Sequence, residues 1–227
     1  MLITIERVLN PDKVAERRTA LMAASWVDGK VTAGPQSAKA KANLQIPEGD
    51  TAARETGEVI LTALGRHPTF LSAALPLKVF PPLFNRYDEG MGFAAHVDNA
   101  VRFHPGGQVR VRTDLAATLF LSDPANYDGG ELVVEDVFGE HRVKGTAGDL
   151  VLYPASSLHR VEPVRRGSRL ASFFWIQSMV RRDDQRTLLF NLDRDIIAAS
   201  AALGDQHRAV LSLTAGYHNL LRMWADA

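Results

Sequence analysis

Hydrophobic and polar positions follow a helical period near the start of the chain. Apolar side chains recur at helical spacing over residues 11–24 and 51–65, and Pro11 and Thr51 are residue types that favour helix starts. The pattern predicts two helices, with Thr51 as the N-cap of the second. Between them, the Gly-, Ala-, Lys- and Pro-rich stretch 27–50 predicts a loop that can include a short strand.

The pattern changes to short β-like runs from residue 77 onward. Turn sequences such as Asp88-Glu89-Gly90 and Asp128-Gly129-Gly130 separate these runs. The predicted strands cover 77–87, 92–98, 115–121, 131–135, 141–143, 149–153, 157–161 and 169–177. Many short strands with frequent turns favour an antiparallel sandwich or barrel, so the predicted fold class is mainly β with flanking α-helices.

A helical period returns after Met179 and predicts a C-terminal helical hairpin, with a break at Gly204-Asp205. We expect its apolar stripes to pack within the chain; the alternative is a homodimer interface or a substrate-recruiting surface, with Trp224 as the residue of interest. The chain thus divides into an N-terminal α/β support region (1–75), a β domain (76–178) and a C-terminal helical segment (179–227).

Composition narrows the function classes. Lys+Arg and Asp+Glu both number 26, so no nucleic-acid or membrane partner is expected, and the lack of cysteine excludes disulfides and thiolate chemistry. The N-terminus does not resemble a signal peptide, and no apolar run approaches a membrane span. The predicted location is the cytoplasm.

The strongest chemical signal is His96-Val97-Asp98 together with the distant His159 and Arg169. On a strand, residues two apart point to the same face, so His96 and Asp98 can reach one cation, and His159 can supply a third ligand. Two imidazoles and one carboxylate with an open face suit non-haem Fe(II). A cation one strand further on can hold the far carboxylate of a keto-acid cosubstrate.

Several motifs together resemble the Fe(II)- and 2-oxoglutarate-dependent dioxygenases, in particular the bacterial PKHD-type (prolyl/lysyl hydroxylase-like) hydroxylases. The resemblance covers about residues 76–178, and the helical tail is similar to the extra C-terminal segment of that family. The motifs are Phe84-Asn85-Arg86-Tyr87, His96-Val97-Asp98-Asn99-Ala100, Gly129-Gly130-Glu131-Leu132, His159-Arg160-Val161 and Gly167-Ser168-Arg169.

The resemblance implies a double-stranded β-helix (jelly-roll) whose N-terminal helices pack on one sheet. It implies that His96, Asp98 and His159 bind Fe(II), and that Arg169 pairs with the distal carboxylate of 2-oxoglutarate. Tyr87 is either a second donor to that cosubstrate or a packed strand aromatic. The site-lining candidates are Asn85, Asn99 and Thr118.

The implied activity couples O2-dependent decarboxylation of 2-oxoglutarate to succinate with hydroxylation of a substrate that the sequence does not identify. L-ascorbate is the implied reductant. One alternative is a zinc-dependent hydrolase, which leaves Arg169 unexplained. Another is a metal-binding jelly-roll sensor or binding module without turnover. In the loop 100–113, Arg102, Arg110 and Arg112 either favour an acidic partner or form a solvated face.

Overall fold

The computed structural model describes residues 1–32, 41–103, 107 and 110–226 of this 227-residue chain. Its architecture is mainly β, with helices before and after the strands, as the hydrophobic pattern predicts. None of the helices in these ranges is long and apolar enough to cross a membrane.

Two antiparallel sheets carry most of the strands. The strands are β1 Ile3–Ile5, β2 Val27–Asp28, β3 Lys41–Ala42, β4 Leu44–Gln45, β5 Pro76–Val79, β6 Leu83–Tyr87, β7 Gly92–His96, β8 Val101–Phe103, β9 Arg110–Arg112, β10 Leu115–Phe120, β11 Tyr127–Gly129, β12 Leu132–Asp136, β13 Gly139–Val143, β14 Leu150–Pro154, β15 His159–Val161, β16 Val164–Gly167 and β17 Arg169–Ser178. The larger sheet has the order β1-β14-β10-β17-β6-β4-β2, with β5 also paired to β17, and the smaller has the order β13-β12-β15-β7-β3.

The alternation of side chains along the large sheet builds two separate cores. On β10, Leu115, Ala117 and Leu119 join the core shared with the N-terminal helices. Ala116 and Phe120 point the other way and join the core shared with Leu132 and Val134 of the small sheet. Because successive residues face opposite sides of a strand, one sheet thus packs against helices outside and a second sheet inside.

Three helices cover the outer face of the large sheet: α1 (Pro11–Met22), α2 (Thr51–Leu64) and α3 (Pro68–Ala74). Leu21, Ile60 and Phe70 are their largest fully buried side chains. The short α3 was not predicted from the sequence, because seven residues give too few turns for a clear helical period.

Two local predictions before β7 were wrong. Asp50, not Thr51, is the N-cap of α2, because its side chain accepts a hydrogen bond from the Ala53 backbone N–H at 3.1 Å. The predicted strand 77–87 is two strands, since Pro81 and Pro82 cannot donate to a ladder. The described part of the predicted loop 27–50 contributes the short strands β2, β3 and β4, and residues 33–40 lie outside the described part of the chain.

The C-terminal hairpin consists of α4 (Asp183–Leu203) and α5 (Arg208–Trp224). Leu189 of α4 is fully buried with Leu75 and Val180, and part of the predicted apolar stripe of α5 packs there, including Tyr217 and Trp224. Ile197, which lies further along α4, is 61% exposed. The hairpin is therefore anchored at one end of the sheet by a small core of its own.

Candidate metal centre

Two imidazoles meet across neighbouring strands of the small sheet. His96, the last residue of β7, is the register partner of His159, the first residue of β15. Their ring centroids are 4.3 Å apart. The antiparallel pairing of two short strands thus brings together residues that are far apart in the sequence.

Each imidazole is oriented by a backbone carbonyl two residues earlier in the chain. Nδ1 of His96 lies 2.9 Å from the Ala94 carbonyl oxygen, and Nδ1 of His159 lies 3.0 Å from that of Ser157. A carbonyl can only accept, so each Nδ1 carries the proton and donates it. Each Nε2 therefore keeps its lone pair available for a metal ion. A hydrogen bond from the other ring nitrogen is the usual way in which this tautomer of a metal-binding histidine is fixed.

Asp98 completes the cluster from a loop. Strand β7 ends at His96, so the prediction that 92–98 is one strand was wrong at its end, because β15 begins opposite His96 and offers no ladder partner beyond it. Asp98 Oδ2 nevertheless lies 3.9 Å from His159 Nε2. One ligand atom from each of the three residues falls within 4.8 Å of the others.

The local electrostatics keep His96 neutral. Burial and, next, the neighbouring His159 lower the pKa of His96 to about 4. Phe93, stacked on the His96 ring at 3.7 Å between centroids, contributes to that burial. A neutral imidazole is the form that binds a metal ion, and a donor set of two nitrogens and one carboxylate suits Fe(II).

Arg169 is a buried cation in the same cleft. It begins β17, pairs with Tyr87 of β6, and is 1% exposed. Its Nε, Nη1 and Nη2 are buried and have no hydrogen-bond partner among the described residues. The rings of Tyr87 and Phe120 lie 5.4 and 5.5 Å from the guanidinium carbon. An unpaired buried charge is costly, so this arrangement fits a bound anion, and a planar carboxylate matches the guanidinium fork.

The turn before β12 leaves room for this arginine. Gly130 has a φ of +66°, a conformation that side chains disfavour. A Cβ at this position would lie 3.1 Å from Cδ of Arg169 and equally close to Tyr127 and Val164. The Gly129-Gly130 motif thus permits close packing around the arginine.

All eight residues singled out from the sequence line one cleft, which encloses about 870 Å³ including its open mouth. They are His96, Asp98, His159, Arg169, Tyr87, Asn85, Asn99 and Thr118. The Tyr87 hydroxyl accepts a hydrogen bond from Asn85 Nδ2 at 3.3 Å. Burial raises the pKa of Tyr87, so its hydroxyl keeps the proton and can donate it to a ligand.

The cleft also contains residues that the sequence did not single out, among them Lys41, Tyr153 and Trp175. Tyr153 is buried, and its ring lies 5.2 Å from that of His159. Burial raises the pKa of Tyr153 well above its usual range. The alternation along 150–154 could have placed Tyr153 on the inner face, whereas the two-residue strand of Lys41 carries no such signal.

Comparison with known sequences finds two matching families. The family described as 2OG-Fe(II) oxygenase superfamily matches residues 82–177, and the PKHD-type hydroxylase C-terminal domain matches residues 183–226. PKHD-type hydroxylases of Burkholderia lata and Paraburkholderia xenovorans are 63% and 60% identical to the chain over 227 residues, and one of Gluconobacter oxydans is 60% identical over 226. Each alignment covers 100% of both chains.

Solved structures share the fold at lower identity. A Pseudomonas putida prolyl-4-hydroxylase aligns with a TM-score of 0.51 and 23% identity, over 78% of this chain and 92% of its own. A Trichoplax adhaerens prolyl hydroxylase in complex with a hypoxia inducible factor peptide gives 0.59 and 13%, over 83% and 86%. HygX of Streptomyces hygroscopicus, with nickel and 2-oxoglutarate bound, gives 0.52 and 14%, over 76% and 81%.

Proposed function

This chain belongs to the PKHD-type hydroxylases, within the 2OG-Fe(II) oxygenase superfamily, and we propose that His96, Asp98 and His159 hold its Fe(II). When bound, Fe(II) and 2-oxoglutarate supply the oxidising chemistry, in which O2-dependent decarboxylation to succinate and CO2 is coupled to hydroxylation of a substrate C–H bond. The support for the ligand set is the cluster of ligand atoms within 4.8 Å and the two Nε2 atoms left available by the backbone hydrogen bonds.

Arg169 is the proposed anchor for the distal carboxylate of 2-oxoglutarate. The single observation that carries this assignment is a fully buried guanidinium without a hydrogen-bond partner among the described residues, in the cleft that also contains the three metal ligands. Tyr87, its register partner, is the proposed second donor, and Asn85 holds the Tyr87 hydroxyl in place. Asn99 and Thr118 are proposed to line the site.

The two facing sheets are the proposed halves of a double-stranded β-helix, or jelly-roll. The shared inner core of the sheets, with metal ligands on one and Arg169 on the other, supports this. The proposed division is a support region (1–75), the dioxygenase domain (76–178) and the helical segment (179–227). L-ascorbate as the reductant, a cytoplasmic location and a homodimer through α4 and α5 stay predictions.

The function is tested by incubating the Fe(II)-loaded protein with 2-oxoglutarate and following succinate in the presence and absence of O2. We expect slow succinate formation that requires both O2 and Fe(II), and none from Asp98→Ala. Succinate at equal rates in the wild type and Asp98→Ala would contradict the ligand assignment.

The same experiment separates the alternatives. A zinc-dependent hydrolase would be active without O2, and a binding or sensor module would bind the metal stoichiometrically without forming succinate.

A further inference from the structure

A second basic region lies in the cleft, well away from Arg169. It consists of Arg102, packed on Trp175, and Lys41 at the edge of the small sheet, and both cations line the cleft. Trp175 lies on the same face of β17 as Arg169 but six residues further along, which is roughly 20 Å of extended strand. The two basic regions can therefore serve different ligands.

Arg102 is held by aromatic rings and not by a carboxylate. Its guanidinium carbon lies 4.6 Å from the centroid of the Trp175 ring and 5.4 Å from that of Phe80. Within the described part of the chain it forms no ion pair and no hydrogen bond. Stacking on rings orients a guanidinium while leaving its N–H edge available, the arrangement that suits recognition of a planar anion.

The other two arginines, on the neighbouring strand β9, differ. Arg112 forms a two-pronged ion pair with Asp114, with nitrogen–oxygen distances of 2.6 and 2.9 Å. Arg110 lies against the exposed ring of Phe103 and does not line the cleft. Of the three arginines, Arg102 alone faces the site.

Lys41 adds a second positive charge beside the metal ligands. It is the register partner of Phe93, and its Nζ lies 5.5 Å from the Phe93 ring, which stacks on His96. Burial and, next, the charge of Arg102 lower the pKa of Lys41 to about 8. Asp28 and Glu48, the carboxylates nearest to them besides Asp98, are exposed to solvent.

We propose that Arg102 and Lys41 bind a carboxylate of the substrate, so that the C–H bond to be hydroxylated belongs to an organic acid or to an acidic segment of a peptide. The proposal rests on the proposed function, since it places this carboxylate beside the iron site. Asp98 is matched by the metal ion and the distal carboxylate of 2-oxoglutarate by Arg169, whereas Arg102, stacked on Trp175, forms no ion pair with a described carboxylate, so its charge is available to a further anion.

The test uses the wild-type protein with Fe(II) and saturating 2-oxoglutarate, without O2, and measures the dissociation constants of matched probes. Benzoate and benzamide differ in charge and share an aromatic ring. N-acetylglutamate α-amide and N-acetylglutamine α-amide are the peptide-like pair. We expect the acid to bind at least tenfold more tightly than its amide in at least one pair. A preference in the benzoate pair indicates a small organic acid as the substrate, and a preference in the glutamate pair indicates a peptide segment.

Substitutions assign that preference to the two cations. Arg102→Gln should reduce it to less than twofold, Lys41→Met should reduce it severalfold, and Arg110→Gln should leave it unchanged. Equal binding of acid and amide in both pairs, undetectable binding of all four probes, or an unchanged preference in Arg102→Gln would overturn the proposal.

The visible charge-transfer band of the Fe(II)–2-oxoglutarate complex distinguishes failure of this proposal from failure of the proposed function. Failure of the band to form before any probe is added would overturn the proposed function, and this inference with it. A band that disappears as the acid binds would show that the acid displaces the cosubstrate, which would also count against the proposal.

Discussion

The two imidazoles of the metal centre are oriented by the same kind of hydrogen bond to the backbone. In each case Nδ1 donates to the carbonyl oxygen two residues earlier, so the tautomer is set by the strand ends themselves. The groups that accept these hydrogen bonds belong to the main chain, while Phe93 stacks on the His96 ring and Tyr153 lies edge-on to that of His159. The tautomer of both imidazoles therefore depends on the backbone at β7 and just before β15.

Replacing His96 with alanine should abolish stoichiometric iron binding, because one of only three protein ligands is lost. His141→Ala is the matched control, since His141 is exposed, pairs with Asp136 and lies outside the cleft. Iron content after anaerobic loading and desalting distinguishes the two variants. Normal iron content in His96→Ala, or an equal loss in both variants, would remove His96 from the centre.

At the scale of single residues, the sequence predicted which side chains share the cleft but not all of their neighbours. His96, Asp98 and Arg169 could be predicted because several motifs, each weak alone, occur together in the order that the family shows. Lys41 could not, because β3 is two residues long and gains its place only by pairing with β7.

Among the elements, the C-terminal hairpin shows how one helix can be both anchored and exposed. Leu189 is fully buried beside Val180, whereas Ile197, eight residues along α4, is 61% exposed. Only the start of α4 thus contributes strongly to packing within the chain.

Leu189→Ala should lower the free energy of unfolding by about 2–4 kcal/mol, because it removes buried methyl groups and leaves a cavity. Ile197→Ala, on the same helix, should change it by less than about 0.5 kcal/mol. Denaturant unfolding of both variants measures the difference. A large loss in Ile197→Ala that depends on protein concentration would instead indicate that this face is covered by a second copy of the chain.

Element boundaries were predicted less well than element types. The two long C-terminal helices follow from their period, but the division of 77–87 depends on Pro81 and Pro82, and the end of β7 depends on where β15 begins. Such boundaries are set by pairing between distant segments, which a local pattern does not contain.

On the scale of the whole molecule, the site lies between the large sheet and the small sheet. Charged side chains are buried there, and their burial lowers the stability of the fold. The inner face of the large sheet contributes Arg169, and the edge of the small sheet contributes Lys41, both nearly inaccessible to solvent. Burying a group in its charged form lowers the free energy of unfolding. The cost is proportional to the displacement of the group's pKa from its unfolded-state value.

Lys41 should make this cost visible as a pH dependence. Its folded-state pKa of about 8 is below the ordinary lysine value of 10.5, so the unfolded chain binds more protons between these values and stability rises with pH there. Below pH 8 the full cost, about 3 kcal/mol, is present. The free energy of unfolding of Lys41→Met should therefore exceed that of the wild type at pH 7. The difference between the two free energies should shrink as the pH rises from 8 to 10.5. A difference in the free energy of unfolding that does not change with pH would show that burying the charge of Lys41 does not lower stability.

The central claim is that the three ligands and Arg169 form one site for Fe(II) and 2-oxoglutarate. The most direct measurement is an anaerobic titration of Fe(II)-loaded protein with 2-oxoglutarate, following the visible charge-transfer band, in the wild type and Arg169→Gln. The wild type should develop the band, and the variant should bind iron normally but need at least about thirtyfold more 2-oxoglutarate, since loss of a buried charge pair costs about 2–5 kcal/mol. No band in the wild type despite stoichiometric iron, or the same 2-oxoglutarate dependence in both proteins, would contradict the account.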